Sequence, residues 1–198
     1  MKHKIIAAMC CGLFITLSVP ANAQNEAEAP SCLYSQTLSI APAIINNTGP
    51  GVGISYEHTL DDRGRFAFNA DVYAAFSKSK WHYSDYYRTT CMGTLLSFRY
   101  YTAPCERKVR YALGFGIPLD ILSRKTSEGR SPGGYSKQDR TDMYFRTGIA
   151  FHNSLQFNVS RRVAIGLNAN LGFAGSDEEN GDSFAPYALL LATVGCRL

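Results

Sequence analysis

Residues 162–173, RVAIGLNANLGF, alternate between two kinds of side chain over their whole length. The apolar positions are Val163, Ile165, Leu167, Ala169, Leu171 and Phe173. The positions between them are alanine, glycine or asparagine. Because successive side chains on a strand point to opposite faces, this stretch predicts a strand with one apolar face and one small, polar face. The fold then depends on whether the apolar face covers a core or meets lipid.

Eight segments show this period, and helical periodicity is absent. We predict strands at 34–46, 51–60, 65–76, 91–102, 108–122, 143–158, 162–173 and 184–198. Several are about 12–16 residues long, whereas strands of ordinary globular proteins centre on five or six. A tilted transmembrane strand needs roughly 9–11 residues for the lipid alone. The strand lengths therefore favour a sheet that crosses a membrane.

The connections between the predicted strands alternate in length. Those at 61–64, 103–107 and 159–161 are short, and those at 77–90, 123–142 and 175–183 are longer. Only the first outer connection, 46–50, is short where a long one is expected. Bacterial outer-membrane barrels have short periplasmic turns and longer outer loops, so this alternation is typical of that class.

The polar faces of the strands predict what fills the barrel. They are rich in glycine and alanine, have no lysine in the strand middles, and carry charges of both signs: Glu57, Asp71, Asp120, Arg99, Arg110 and Arg146. Isolated charges in a low-dielectric interior are costly, whereas paired ones are tolerated. We expect these six residues to form a structural ion-pair network in a lumen that has room for side chains and little else.

The N-terminus predicts an export signal. Lys2 and Lys4 precede an apolar run at 5–19, and Ala21-Asn22-Ala23 supplies the small residues that signal peptidase requires. The expected organisation is a cleaved signal at 1–23, a polar leader at 24–33 and a barrel at 34–198. A lipid-modified cysteine is an alternative, but Met9 and Cys10 stand where a small residue is wanted.

Charge and cysteine content narrow the functional classes. Removing Lys2 and Lys4 with the signal lowers the formal net charge from +4 to +2, which argues against nucleic-acid binding. The remaining cysteines, Cys32, Cys91, Cys105 and Cys196, are too widely spaced for a zinc pattern. One or two disulfides and unpaired cysteines are both compatible with an oxidising compartment. No cofactor or metal is expected.

With these features the chain resembles the small eight-stranded outer-membrane β-barrels, the OmpA/OmpX-like group. The resemblance covers essentially the whole mature chain and rests on the signal, the strand count, stretches such as GVGISYEHTL and RRVAIGLNANLGF, and a final strand that runs to the last residue. It implies an all-β, antiparallel, up-and-down transmembrane barrel. One departure is the end of the chain, where Leu198 stands in place of the aromatic residue that such barrels often carry.

The longer connections supply candidate contact residues. Aromatic side chains with bases beside them provide binding area and charges for lipopolysaccharide phosphates. The residues that we expect to contact a ligand or partner are Lys78, Lys80, Trp81, Tyr83, Tyr86, Tyr87, Arg88, Arg124, Lys125 and Arg130. Expected partners are outer-membrane lipids and lipopolysaccharide, with host or surface proteins and glycans as further candidates.

Enzymatic and metal-binding alternatives are less well supported. His152 and Ser154 have the two-residue spacing of outer-membrane deacylases, but no acid follows on the next strand to complete a triad. His82, Ser84 and Asp85 lie together in the connection at 77–90 and offer an acyltransferase-type alternative. The acidic tip that begins at Asp177 fits no known calcium-loop spacing.

The sequence thus predicts a monomeric, non-enzymatic barrel in the outer membrane of a Gram-negative bacterium. Its role would be membrane integrity, or adhesion through the outer connections. A lipid-modifying barrel enzyme and a soluble secreted or periplasmic β domain are the competing interpretations.

Overall fold

A computed structural model of the chain describes residues 35–46, 48–81, 85–129, 137–177 and 183–198. For residues 78–81, 85–87, 126–129, 137–139 and 183 it describes the backbone alone. The described residues form a closed antiparallel barrel in which each strand pairs with its neighbours in chain order and the last strand pairs with the first. The predicted signal and the predicted leader lie outside the described residues.

Eight strands make up the barrel, and all eight were predicted. They are β1 (Gln36–Ile45), β2 (Gly49–Thr59), β3 (Phe66–Trp81), β4 (Asp85–Tyr101), β5 (Val109–Gly129), β6 (Lys137–Asn158), β7 (Val163–Ser176) and β8 (Ser183–Arg197). The described part of the chain contains no helix with the length and apolar character needed to span a membrane.

The two ends of the barrel are built differently. One end, which we call the turn end, holds the connections 60–65, 102–108 and 159–162 together with Ser35 and Leu198. The other, the loop end, holds the connections 46–48, 82–84, 130–136 and 177–182. The seam between β1 and β8 is closed at the loop end by Asn46, whose side chain donates to Pro186 O and accepts from Ala188 N.

The side-chain alternation has the predicted orientation, with the apolar face outside. Phe115 is 59% exposed and Ile165 44%, whereas Glu57 and Arg146 retain only 8% and 5% of their surface. Because the sheet closes on itself, its small, polar face has no solvent to meet and becomes the lining of the lumen. The expectation of apolar residues outside and charged residues within is confirmed.

The predicted strand ends were wrong at the loop end of four strands. The antiparallel ladder of β3 and β4 continues through Phe76↔Thr90 to Trp81↔Asp85, and that of β5 and β6 continues to Gly129↔Lys137. The connections predicted at 77–90 and 123–142 are therefore mostly strand. Backbone hydrogen bonds extend a hairpin whatever its side chains, so a polar stretch that loses its alternation can stay paired beyond the apolar band.

The cysteines are divided between one disulfide and free thiols. Cys105, in the turn at 102–108, is disulfide-bonded, and its partner lies outside the described residues. Cys91 is buried in the lumen and Cys196 is exposed on the outer face, and both are free. The sequence left one or two disulfides open. Among the described residues, Cys91 and Cys196 do not form a second disulfide.

Candidate functional site: the filled lumen and the charged barrel ends

The first charged cluster lies in the lumen towards the turn end and is centred on Arg99 of β4. Arg99 Nη1 donates to Glu57 Oε2 at 3.0 Å, and Nη2 donates to Asp71 Oδ2 at 3.4 Å. Tyr101 OH donates to the same Glu57 oxygen at 2.6 Å. These residues come from β2, β3 and β4, so the cluster ties three adjacent strands together across the lumen.

Arg110 lies beside this cluster and is held by neutral groups. Its guanidinium carbon is 3.7 Å from the centroid of the Tyr101 ring, a cation–π geometry. The guanidinium donates to Gln156 Oε1 at 3.1 Å, to Ala103 O at 3.3 Å and to Gly64 O. Arg110 thus fastens the turns at 60–65 and 102–108 to the lumen wall.

The second charged cluster lies further towards the loop end and is centred on Asp120 of β5. Arg146 donates from Nε at 2.9 Å and from Nη2 at 2.5 Å to Asp120 Oδ2. Tyr73 OH donates to Asp120 Oδ1 and lies 2.9 Å from Tyr187 OH. The cluster joins β3, β5, β6 and β8 and therefore spans the lumen from side to side.

A glycine makes room for this second cluster. A Cβ atom on Gly93 would lie 2.1 Å from Asp120 Oδ1 and 2.9 Å from Tyr73 Cε2. Both distances are too short for a carbon contact, so the carboxylate and the ring occupy the space that a side chain at this position would need.

On the other side of the lumen from β2 and β3, His152 and Ser154 of β6 face the lumen and are bonded to asparagines of β7. His152 Nδ1 lies 2.6 Å from Asn170 Oδ1, and Ser154 Oγ donates to Asn168 Oδ1 at 2.6 Å. Both residues are buried, His152 to 1% exposure. The pair considered as a deacylase site is therefore engaged by neighbouring amides within the wall of the barrel.

Sequence reasoning missed the apolar part of the lumen. Fully buried large side chains form one apolar core with the two tyrosines of the second charged cluster: Ile45, Leu95, Leu189 and Leu191. The expected lumen held only small and charged residues, whereas the actual one has an apolar and aromatic filling beside the ion pair. The signal that could have found it is the run YALLLATV in β8, which is apolar on both faces and so predicts apolar surroundings on both.

At the loop end, the predicted contact residues lie mostly on paired strands. Lys78 and Lys80 lie on β3, as does Trp81; Tyr86, Tyr87 and Arg88 lie on β4, and Arg124 and Lys125 on β5. Tyr83 and Arg130 lie outside the described residues, as do His82 and Ser84. Within the described ranges, no group of three or more His, Cys, Asp or Glu residues is placed to hold a metal ion.

The strand register brings three of these bases into one row. Lys78 is paired with Arg88, and Arg88 is paired with Lys125 on the next strand. Arg88 and Lys125 are exposed. By register, all three positions stand one step beyond the row that holds the exposed Phe76 and Met143. We call Lys78, Arg88 and Lys125 the basic row.

Comparison with known proteins yields similarity at the level of structure alone. No protein-family model matches the sequence, and no curated protein is significantly similar to it. Among solved structures, Ail of Yersinia pestis in complex with the heparin analogue sucrose octasulfate is 12% identical, with a TM-score of 0.48 over 83% of this chain and 97% of Ail. Neisserial surface protein A is 16% identical, with a TM-score of 0.44 over 82% and 96% of the two chains.

A major outer membrane protein from Thermus thermophilus is 11% identical and superposes with a TM-score of 0.51, over 83% of this chain and 100% of that one. The chain has the fold of a small outer-membrane β-barrel. For an outer-membrane barrel, the exposed apolar band has a physical explanation, because lipid rather than water covers it. A soluble β domain would leave that band in water, so this alternative does not account for the surface.

Proposed function

We propose that this protein is a non-enzymatic outer-membrane barrel that acts at the cell surface through its loop end. In this orientation the turn end faces the periplasm and the loop end faces outwards. The β3–β4 and β5–β6 hairpins continue beyond the exposed apolar residues at the loop end only, and outer-membrane barrels carry their longer extensions on the extracellular side. The role is membrane integrity, through lipopolysaccharide, or adhesion to anionic surface molecules. The protein acts as a monomer and requires no cofactor.

The filled lumen supports a role that does not involve transport. Two charged clusters and the apolar side chains beside them are all buried, and together they block the axis of the barrel. An eight-stranded barrel has an interior just wide enough for side chains. Large solutes therefore have no path through it, and the outer surface is left as the place of action.

The basic row is the observation that carries the proposal. Arg88 lies directly opposite Lys125 on the neighbouring strand, and like charges at such positions repel one another. A phosphate or sulfate that lies along the row reverses the sign of this interaction. The row stands just beyond exposed Phe76 and Met143, at the level where lipopolysaccharide phosphates meet the apolar band.

The test is the triple variant Arg88→Gln/Arg124→Gln/Lys125→Gln, assayed for binding to purified lipopolysaccharide and to a sulfated glycan. We expect binding to weaken by roughly 10-fold or more, and the remaining binding to depend less on salt. The matched control is Arg63→Gln/Arg107→Gln/Arg161→Gln, which removes the same charge at the turn end. Equal loss in both triple variants would show that net charge, and not the loop end, drives binding.

The lipid-modifying alternative is tested separately. His82→Ala and Ser84→Ala remove the nucleophile–base candidates of that alternative from residues 82–84. If the protein is non-enzymatic, the lipid A mass spectrum of cells that carry either variant is the same as that of cells with the parent protein. A modified lipid A species that disappears with both substitutions would replace the proposal with the enzymatic one.

A further inference from the structure

The three connections of the turn end share a pattern of basic residues. Each carries two bases within the last three positions before a strand that rises into the barrel. The six residues are Arg63, Arg65, Arg107, Lys108, Arg161 and Arg162, and we call them the basic ring. The pattern recurs in all three turns although their lengths and sequences differ.

The basic ring adjoins the edge of the apolar band. Arg65 precedes Phe66, Lys108 precedes Val109 and Arg162 precedes Val163. The three apolar residues are exposed on the outer face, at 53%, 50% and 36%. Long basic side chains can lay their apolar stems along such an edge while their charges reach the headgroup level.

Groups outside the basic ring hold the backbone of these turns. Cys105 N donates to Arg63 O at 3.2 Å, and Asn158 Nδ2 donates to Arg107 O at 2.6 Å, so adjacent connections are joined. Ser160 Oγ accepts from the backbone N–H groups of Arg162 and Val163 at 3.2 Å and 3.0 Å. The charged groups of the exposed Arg63 and Arg107 are therefore positioned by a scaffold that does not depend on their charge.

The charge balance of the barrel singles out this end. The lumen holds three acids and three bases, and residues 77–90, 123–142 and 175–183 at the loop end hold eight of each. The three turns hold six bases and three acids, and one further base, Arg197, lies at the turn end of β8. One of the acids, Asp61, accepts the Phe66 N–H through Oδ1 at 2.6 Å and so serves the turn itself. The excess positive charge of residues 35–198 is therefore at the turn end.

We propose that the basic ring binds the phosphates of anionic phospholipids in the membrane leaflet that surrounds the turn end. A folded periplasmic partner would need bases but no apolar edge beside each pair, whereas a phospholipid meets both at once, phosphate on the base and acyl chain on the adjacent residue. Each base near an anionic lipid surface raises local lipid preference about fivefold. The proposal rests on the transmembrane fold and is independent of what the loop end binds.

Because the protein has a single tryptophan, its replacement allows a tryptophan introduced at the turn end to be the sole fluorescent reporter. Trp81 lies on β3 at the loop end. In a Trp81→Phe background, Phe66→Trp or Tyr100→Trp reports contact at the turn end, because both positions lie at that edge of the apolar band and are exposed.

The experiment compares brominated phosphatidylglycerol with brominated phosphatidylcholine at equal mole fraction in phosphatidylcholine vesicles. We expect phosphatidylglycerol to quench the turn-end reporter several-fold more effectively, and high salt to remove this preference. Arg63→Gln/Arg107→Gln/Arg161→Gln reduces the preference to near unity, and Arg88→Gln/Arg124→Gln/Lys125→Gln leaves it unchanged. Heat-modifiable gel mobility verifies that each variant is folded.

Three outcomes would overturn the proposal. The first is equal quenching of the turn-end reporter by both lipids when the basic ring is intact. The second is a preference for phosphatidylglycerol that persists in the turn-end triple variant. The third is a preference for phosphatidylglycerol that falls equally in both triple variants. Sedimentation with purified peptidoglycan sacculi that depends on the basic ring, without lipid preference, would assign the ring to the cell wall instead. If the turn-end triple variant does not fold, the salt dependence of the parent and the single variant Arg161→Gln decide the matter.

Discussion

The two charged clusters of the lumen contain the same kinds of group but satisfy them to different degrees. In the cluster towards the loop end, both oxygens of Asp120 are bonded, one by Arg146 and the other by Tyr73. In the cluster towards the turn end, Asp71 Oδ1 and Arg99 Nε are buried without a hydrogen-bond partner among the described residues. A small polar cavity adjoins this turn-end cluster, lined by groups that include Glu57 and Arg99.

The difference indicates that ion pairing and the packing around the ion pair contribute separately to the stability of the barrel. The Asp120 cluster is surrounded by apolar side chains, so its charges depend wholly on one another. The Arg99 cluster has polar neighbours that can take over part of a lost interaction. We therefore expect equivalent substitutions to cost more near Asp120 than near Arg99, and the following predictions are ordered accordingly.

The largest effect is expected for Asp120→Ala, which leaves the Arg146 guanidinium buried without its counter-charge. Breaking a buried pair from one side costs about 3–5 kcal/mol. Denaturant unfolding of the barrel in lipid vesicles, followed by heat-modifiable mobility, measures the change. The double variant Asp120→Leu/Arg146→Met removes both charges and recovers most of the loss, and a single variant as stable as the parent would contradict the dependence on pairing.

Arg99→Met should cost less, about 2–3 kcal/mol, although it leaves two carboxylates without their base. Glu57 keeps the hydrogen bond from Tyr101 OH, and the adjoining polar cavity lowers the cost of the unpaired charge. The same unfolding assay applies. If Arg99→Met were destabilised more than Asp120→Ala, the Arg99 cluster, and not the Asp120 cluster, would depend more strongly on its ion pairs.

Tyr187→Phe sharpens the comparison within the Asp120 cluster. It removes the 2.9 Å contact between the two tyrosine hydroxyls and leaves the bond from Tyr73 to Asp120 in place. One neutral hydrogen bond is worth about 1 kcal/mol. Tyr73→Phe breaks both contacts and leaves an Asp120 oxygen unsatisfied, so the unfolding free energy of this variant should fall further. Equal losses in the two variants would show that the contact between the hydroxyls, and not the contact with the carboxylate, provides the stability.

The smallest effect is expected at the surface of the loop end, for Asp142→Asn. Asp142 accepts from Arg140 Nε at 2.7 Å, but the Arg140 side chain is 64% exposed. An exposed ion pair of this kind contributes at most about 0.5 kcal/mol. A loss above about 1 kcal/mol in the same assay would show that the loop end is more tightly coupled to the barrel than its exposure indicates.

Much of the fold follows from local pattern. All eight strands, and the outward direction of residues such as Val163 and Phe115, follow from an alternation that each strand carries in its own sequence. The predicted ends failed where that alternation stops, because pairing beyond the apolar band depends on the neighbouring strand. The partners of Arg110 were not predictable either, since Tyr101 and Gln156 lie on the two neighbouring strands and only the strand register brings them beside it.

The sequence by itself determined the period of the strands, the identity of the lipid-facing residues and the set of charges that must be buried. Only the tertiary structure decided which charges meet, because closing eight strands fixes the height and direction of every inward side chain relative to the others. That closure separated six expected partners into an Asp120 pair, an Arg99 triad and an Arg110 held by neutral groups. A strand specifies its own two faces, whereas distances across a lumen belong to the whole barrel.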